Sequence, residues 1–326
     1  SISSVSLHEY LSLKLREGIN FDYSMKKLSE NGNAYASFEL GSDEYYGHVT
    51  GKPRYSKALS YLKMAAEESH ASANYMVGNI YIRGLVGNKG KEELDKGYKY
   101  LLRALELGNV AAANLIGNMY YEGVYPLDKD IEKAKEYYSK AAASDYVFAI
   151  NNLGKIAEKN GNLEEAYEYY LRSADLGESW ACNKMGEAYR TGILEQDVNK
   201  AFTYYNKAID ANYRVLCFYA YYNLAKYYYM NGYDLIAADN NKAIEYLKIA
   251  SDNDVIEASM ELFFIYAKEY AKKKDQYNYD KLMHYKKVIE GHKKYNKEIK
   301  DSIEYKLNEI RNRKEISIKS IDDLIM

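Results

Sequence analysis

Two prolines, two cysteines and a single tryptophan are all that this 326-residue chain holds of those residue types. Pro53 and Pro126 form no Pro-rich linker, so nothing marks a boundary between globular parts and one domain is expected. Cys182 and Cys217 supply no Cys-x-x-Cys pair. No apolar run approaches the ~18 residues that a membrane helix requires, so no span is expected. The five histidines (His8, His48, His70, His284 and His292) include no i, i+4 pair, and neither His-Glu-x-x-His nor Gly-x-Ser-x-Gly occurs. Gly87-Asn88-Lys89-Gly90-Lys91 approaches a phosphate loop. It has Leu85 where the first glycine belongs and Glu92 in place of the Ser/Thr, and reads as an inter-helix insertion. No catalytic residue, metal or cofactor is expected, and the chain is not expected to be an enzyme.

Charge of one sign is also missing overall: 45 basic side chains face 47 acidic ones, a net −2. The distribution is uneven. Residues 268–314 carry 15 Lys/Arg against 8 Asp/Glu, and residues 1–267 carry 29 against 36. Such a basic end could meet an acidic protein, a membrane surface or nucleic acid. A simpler reading is a solvated capping helix, because Tyr295, Ile299, Ile303, Leu307 and Ile310 form one apolar stripe.

What the chain does have is tyrosine, 39 residues of it, set in a repeat. Gly41, Gly78, Gly117, Gly154 and Gly186 each follow an apolar residue, and Ala225 and Phe263 continue the register. The spacings are 37, 39, 37, 32, 39 and 38 residues. A period in this range predicts a solenoid of helix pairs, each burying its apolar face on its neighbours. With the small residue as position zero, Tyr81, Tyr120, Tyr189, Tyr228 and Tyr266 stand at plus three, with Ala157 an exception. Gly47, Gly84, Gly123 and Gly192 follow at plus six, and Gly161 and Gly232 at plus seven. The zero position admits close approach of a second helix, and the later glycine suits a left-handed helix end. A second helix carries Lys-Ala-x-x-Tyr, with Tyr61, Tyr100, Tyr137, Tyr169, Tyr204, Tyr246 and Tyr285 in one place. Asp130, Asp197 and Asp239 read as its N-caps, as does Asn162 with Glu165 three residues on.

Ile116-Gly117-Asn118-Met119-Tyr120-x-x-Gly123, followed by Lys133-Ala134-x-x-Tyr137-Tyr138-x-Lys140-Ala141-Ala142, resembles the Sel-1-like repeat family, a bacterial-type relative of the tetratricopeptide repeat. The resemblance covers residues 34–290. It implies an all-α fold: a right-handed α/α superhelical solenoid of about seven to eight helix-turn-helix repeats with a C-terminal capping helix. Residues 1–33 read as a degenerate N-terminal capping repeat, with Leu11 to Leu15 and Gly18 as its first helix and Met25 to Gly32 as its second. Residues 291–314 read as the capping helix and 315–326 as a tail. Some secreted relatives staple each repeat with a disulfide. Cys182 occupies the first place of such a pair, but Ile209 occupies the second. Unpaired cysteines fit a reducing compartment, and a cytoplasmic location is expected, with a removed leader or module ahead of Ser1 left open.

In solenoids of this kind the first helices line the concave face, and ligands meet positions minus three, plus one and plus four. In this sequence the resemblance therefore points to Asn79, Asn114, Asn118, Asn151 and Asn183 as a ladder of amides facing peptide backbone. Lys155, Arg190 and Lys226 would hold acidic groups, with Tyr229 beside them. The competing reading ties neighbouring repeats together through these asparagines; Asn74, Asn152 and Asn223 lie off the ladder. The expected partner is a protein or extended peptide segment, held by a non-enzymatic adaptor or regulatory receptor. Nucleic acid is not expected to bind the repeats themselves. A stoichiometric inhibitor, such as an immunity protein blocking a toxin, is the alternative, and an enzyme a remote third.

Overall fold

The computed structural model describes residues 4–15, 21–212 and 215–322, with side chains through 312, and it divides into two compact units. The first, Ser1–Tyr169, holds α1 (Ser4–Lys14), α2 (Phe21–Glu30), α3 (Ala34–Tyr46), α4 (Tyr55–Glu67) and α5 (Ala71–Arg83). It continues with α6 (Lys91–Glu106), α7 (Val110–Glu122), α8 (Ile131–Ala142), α9 (Val147–Lys159) and the start of α10 (Leu163–Asp175). The second, Tyr170–Met326, takes the rest of α10, then α11 (Ser179–Thr191), α12 (Val198–Ile209) and α13 (Tyr219–Leu224). A π turn (Ala225–Tyr229) extends α13, and α14 (Asn240–Asp252), α15 (Ile256–Lys272), α16 (Gln276–Glu290) and α17 (Lys297–Asp322) follow. Among the described residues everything regular is helical except one bridge between Tyr233 and Ile236.

Each unit is a run of hairpins. In the first, α3 packs on α4, α5 on α6 and α7 on α8, and each second helix packs on the next first helix. In the second, α11 pairs with α12, α13 and its π turn with α14, and α15 with α16. At the N-terminus α1 and α2 pack on one another and on α3, with Met25 buried; Ser1 and Gly18 fall outside the described residues. At the other end α17 starts later than residue 291 and runs past residue 314, where a tail was expected. Its stripe holds where side chains are described, since Ile303 and Ile310 are buried.

The repeat motif has a direct physical meaning. A Cβ on Gly117 would come 2.6 Å from the ring of Tyr138, and one on Gly186 would come 2.7 Å from that of Tyr205. The zero position is thus where the two helices of one repeat cross, and only a missing side chain allows that ring there. The plus-three tyrosine stacks on the motif tyrosine of its own repeat. Tyr120 and Tyr137 lie 5.5 Å apart at 25°, and Tyr189 and Tyr204 lie 5.7 Å apart at 14°. The motif lysine then covers the plus-three ring: Lys133 stands 5.3 Å from Tyr120 and Lys200 stands 5.3 Å from Tyr189. The next residue but two before that lysine caps the second helix, Asp130 accepting from the Lys133 N–H and Asp197 from the Lys200 N–H. The cap residue's own N–H donates to the plus-three carbonyl, Asp130 to Tyr120 at 2.9 Å and Asp197 to Tyr189 at 3.0 Å. Those bonds pin the starts of α8 and α12 to the ends of α7 and α11.

The plan is not uniform: α9 has Ala157 at plus three and α6 starts after Gly90 without an aspartate cap, and two further repeats depart from it in other ways. In α3 the plus-three residue is Glu44, buried at 4% exposure, and Arg54 grips its carboxylate through Nε and a terminal nitrogen. In α13 the chain carries one residue too many, and the π turn absorbs it through a bond from the Met230 N–H to the Ala225 carbonyl. Tyr229, at plus four by count, therefore occupies the plus-three slot. It meets Tyr246 at 5.6 Å, lies 4.6 Å beneath Lys242, and its carbonyl accepts from the Asp239 N–H at 2.8 Å. Tyr228 fills the buried place that Met119 takes in α7. The additional residue is Tyr227.

Candidate functional site

The nine residues singled out from the sequence all lie on first helices or the π turn, but the structure treats them unequally. Asn114, Asn151 and Asn183 are buried, at 9%, 4% and 6% exposure, and do not form a row of open amides. The helices α7 and α9, and α11 and α13, lie so close that the minus-three positions Asn114 and Asn183 fall at their seams, where a polar group must find a partner. Asn152 Nδ2 donates to Asn114 Oδ1 at 3.0 Å, and Asn223 Nδ2 donates to Asn183 Oδ1 at 3.0 Å. The two donors stand at minus two, off the expected ladder. Their shared offset from the zero position was the available sign of a common role. Asn79 donates to the Tyr45 hydroxyl of the preceding repeat at 2.9 Å. Asn118 accepts from Asn152 at 3.3 Å and from the Tyr138 hydroxyl at 2.8 Å. Asn79, Asn114, Asn118 and Asn183 therefore join repeat to repeat.

The cations divide as well. Lys155 is exposed and, with Asn118, Tyr121, Glu122 and Asn152, lines a cleft of about 160 Å³ between α7 and α9. Lys226 donates to Glu261 at 2.7 Å and to the Tyr222 hydroxyl at 3.0 Å. Burial works against its charge, but those two bonds outweigh it and raise the pKa above the ordinary lysine value. Its charge is already answered. Tyr229 faces inward at 8% exposure, moved into the packing slot by the additional residue.

Arg190 is different. Its Nε donates to the hydroxyl of the buried Tyr205 at 3.1 Å, and its guanidinium lies 3.9 Å from the ring centre of Tyr227. Burial opposes the charge most strongly of any one effect, yet the Tyr205 bond and the fields of Tyr205, Tyr227 and Glu187 together outweigh it and the pKa rises. Among the described residues its terminal nitrogens meet no acceptor, although Glu187 stands near enough to add to the field. The side chain is held in place, charged and open at its forked end. Tyr205, Tyr227 and Glu261 were not found from the sequence. Tyr227 had only an ambiguous sign, the glycine at plus seven, which Gly161 shares in a repeat whose α9 is unbroken.

This arrangement can grip a carboxylate or a backbone carbonyl. Among the described residues no group of three or more His, Cys, Asp or Glu is placed to hold a metal. The two cysteines are free, and burial pushes their thiols up, Cys182 to about 11 and Cys217 to about 12, far from nucleophilic. No helix described is long and apolar enough to cross a membrane.

A family model described as the Sel1 repeat matches residues 34–70, 71–109, 110–146, 148–178, 181–213 and 218–255. The α15–α16 hairpin lies beyond the last match but keeps the ring pair, Tyr266 and Tyr285 stacking at 5.7 Å and 4°. The fold is similar to that of a Sel1 repeat protein from Oxalobacter formigenes (TM-score 0.61, 24% identity, 80% of this chain and 98% of that one). It is also similar to c5321, a protective antigen of uropathogenic Escherichia coli displaying an SLR fold (TM-score 0.52, 22% identity, 82% of this chain). The chain spans 56% of the length of that antigen. A looser likeness, at TM-score 0.46, 19% identity, 64% of this chain and 83% of that one, is to immunity protein Pa5087 from Pseudomonas aeruginosa. No curated protein matches the chain by sequence.

Proposed function

The chain belongs to the Sel1 repeat family, and we propose on that footing that it is a non-enzymatic adaptor or regulatory receptor for an acidic protein or extended peptide segment. One observation carries the site: the residue that the π turn adds, Tyr227, is the residue on which the Arg190 guanidinium rests. π turns of this kind concentrate at functional positions, and an additional aromatic under an arginine is an expense that packing alone does not need. A guanidinium fixed before the ligand arrives loses little side-chain freedom on binding, and its planar fork matches a carboxylate. Within the first unit, Lys155 and the α7–α9 cleft would offer a contact of their own. Asn79, Asn114, Asn118 and Asn183 would then serve by holding first helices in register within each unit.

The test is affinity capture from a lysate of the source organism, comparing the unmodified chain with Arg190→Gln and with a deletion of Tyr227. Gln keeps a donor for Tyr205 while removing the charge. A partner held by the unmodified chain, released by salt, and reduced tenfold or more in both variants supports the reading, provided both variants melt normally. Equal capture by all three proteins places the partner elsewhere and ends the proposal for this face.

A further inference from the structure

A second surface stands apart from the first helices. A hollow of about 380 Å³ opens between the end of α15, α16 and α17. Its floor is apolar, including Leu282 at 1% exposure, Ile310 at 6% and Met283. Around it stand Lys274 on the α15–α16 connection, Lys286 on α16 and Arg311 on α17. No aspartate or glutamate is among its described lining residues. Lys286 pairs with Glu290 one turn on, whereas Lys274 and Arg311 meet no carboxylate among the described residues. Three cations from three separate elements thus surround one low-dielectric hollow, in the stretch that carries 15 basic against 8 acidic residues. The sequence left this stretch either a solvated cap or a basic surface for an acidic protein, a membrane or nucleic acid, and a cap alone gives no reason for its cations to converge.

We propose that this hollow docks an acidic protein segment, which seats one apolar side chain on the Leu282–Ile310 floor and sets flanking carboxylates against Lys274 and Arg311. Charge complementarity sets the sign of the occupant, because cations beside a poorly solvated floor attract an anion more strongly than cations in open water. The recess sets its shape. A bilayer meets protruding residues, and the apolar atoms here lie below the ring of charge, within reach of a single inserted side chain. The volume falls at the lower end of the roughly 300–1,000 Å³ found for ligand sites, and burying an anchor in such a pocket is how a short segment gains most of its affinity.

The experiment is fluorescence anisotropy with the full chain and a fluorescein-labelled decapeptide of glutamates around one central leucine. Saturable 1:1 binding is expected. Lys274→Glu with Arg311→Glu should weaken it tenfold or more, and replacing the peptide's leucine by serine should weaken it fivefold or more. Lys272→Glu with Lys306→Glu, the same change in charge outside the hollow, should shift it less than twofold. All four positions are partly or fully exposed, and circular dichroism melts verify that each variant folds. Equal loss in both double variants, or equal affinity for the serine peptide, would reduce the effect to diffuse charge and overturn the proposal. Displacement of the peptide by phosphatidylglycerol vesicles would overturn it in favour of a membrane surface. None of these results depends on Arg190.

Discussion

The repeat formed by α11 and α12 and the one formed by α13, its π turn and α14 share a motif and differ by one residue in the first helix. In the former Tyr189 reaches its slot three residues after Gly186, in an unbroken α-helix. In the latter Tyr229 reaches the same slot four residues after Ala225, and the helix widens by one turn's worth of hydrogen bonding to let it. The slot is held and the count gives way. Three contacts define it: a partner ring on the second helix, a lysine above, and an aspartate N–H on the carbonyl. The cost of a π turn is smaller than the cost of vacating all three.

The largest test of this comparison is deletion. Removing Tyr227 should close the π turn into α-helix with Tyr229 at plus three, leaving the melting free energy within about 1 kcal/mol of the original, the scale of one helix-interior propensity change. Removing Met119 from α7 should rotate everything after it by about 100°. Thermal denaturation should then show a loss of about 3–5 kcal/mol, that of truncating a buried aromatic. Equal losses would mean that the π turn is not an insertion. A smaller contrast lies at the zero position. Gly117→Leu should lower stability by about 1–3 kcal/mol through overpacking against Tyr138, while Ala225→Gly, where a methyl is already fully buried, should lower it by about 1 kcal/mol. A Gly117→Leu protein that melts unchanged would misplace the helix crossing. The smallest effect sharpens the comparison most: Lys133→Met and Lys242→Met should each cost about 0.5–1 kcal/mol, the value of an exposed cation over a ring. Unequal costs in urea titrations would show that Tyr229 is an imperfect substitute for Tyr120.

The fold could be read from the sequence because its rules are local. A missing side chain where helices cross, a ring three residues on and an aspartate cap act within one repeat, so their spacing shows in the chain. Asn114 and Asn183 were harder, because whether a minus-three side chain faces a ligand or a seam depends on how closely successive first helices lie. Asn152 and Asn223 carried that information only jointly. The partnership of Arg190 with Tyr227 was not legible from position: the two residues lie in different repeats and meet only because one turn is widened. Lys226 looked open for the same reason, since Glu261 reaches it from the next first helix.

The bond from each cap aspartate to the carbonyl of the preceding helix has a consequence for how such a chain can grow. With both ends of the connection pinned, at Tyr120 and Asp130, at Tyr189 and Asp197, and at Tyr229 and Asp239, the residues between them act as a closed loop. Lengthening a closed loop costs only the logarithm of its length, about 0.6 kcal/mol for each doubling. The chain already uses that freedom, since residues 121–129 are more numerous than residues 190–196 with no change in the helices they join. These connections are therefore the places where new sequence can enter without disturbing the register of the stack, while a single residue added inside a helix calls for a compensation as specific as the π turn.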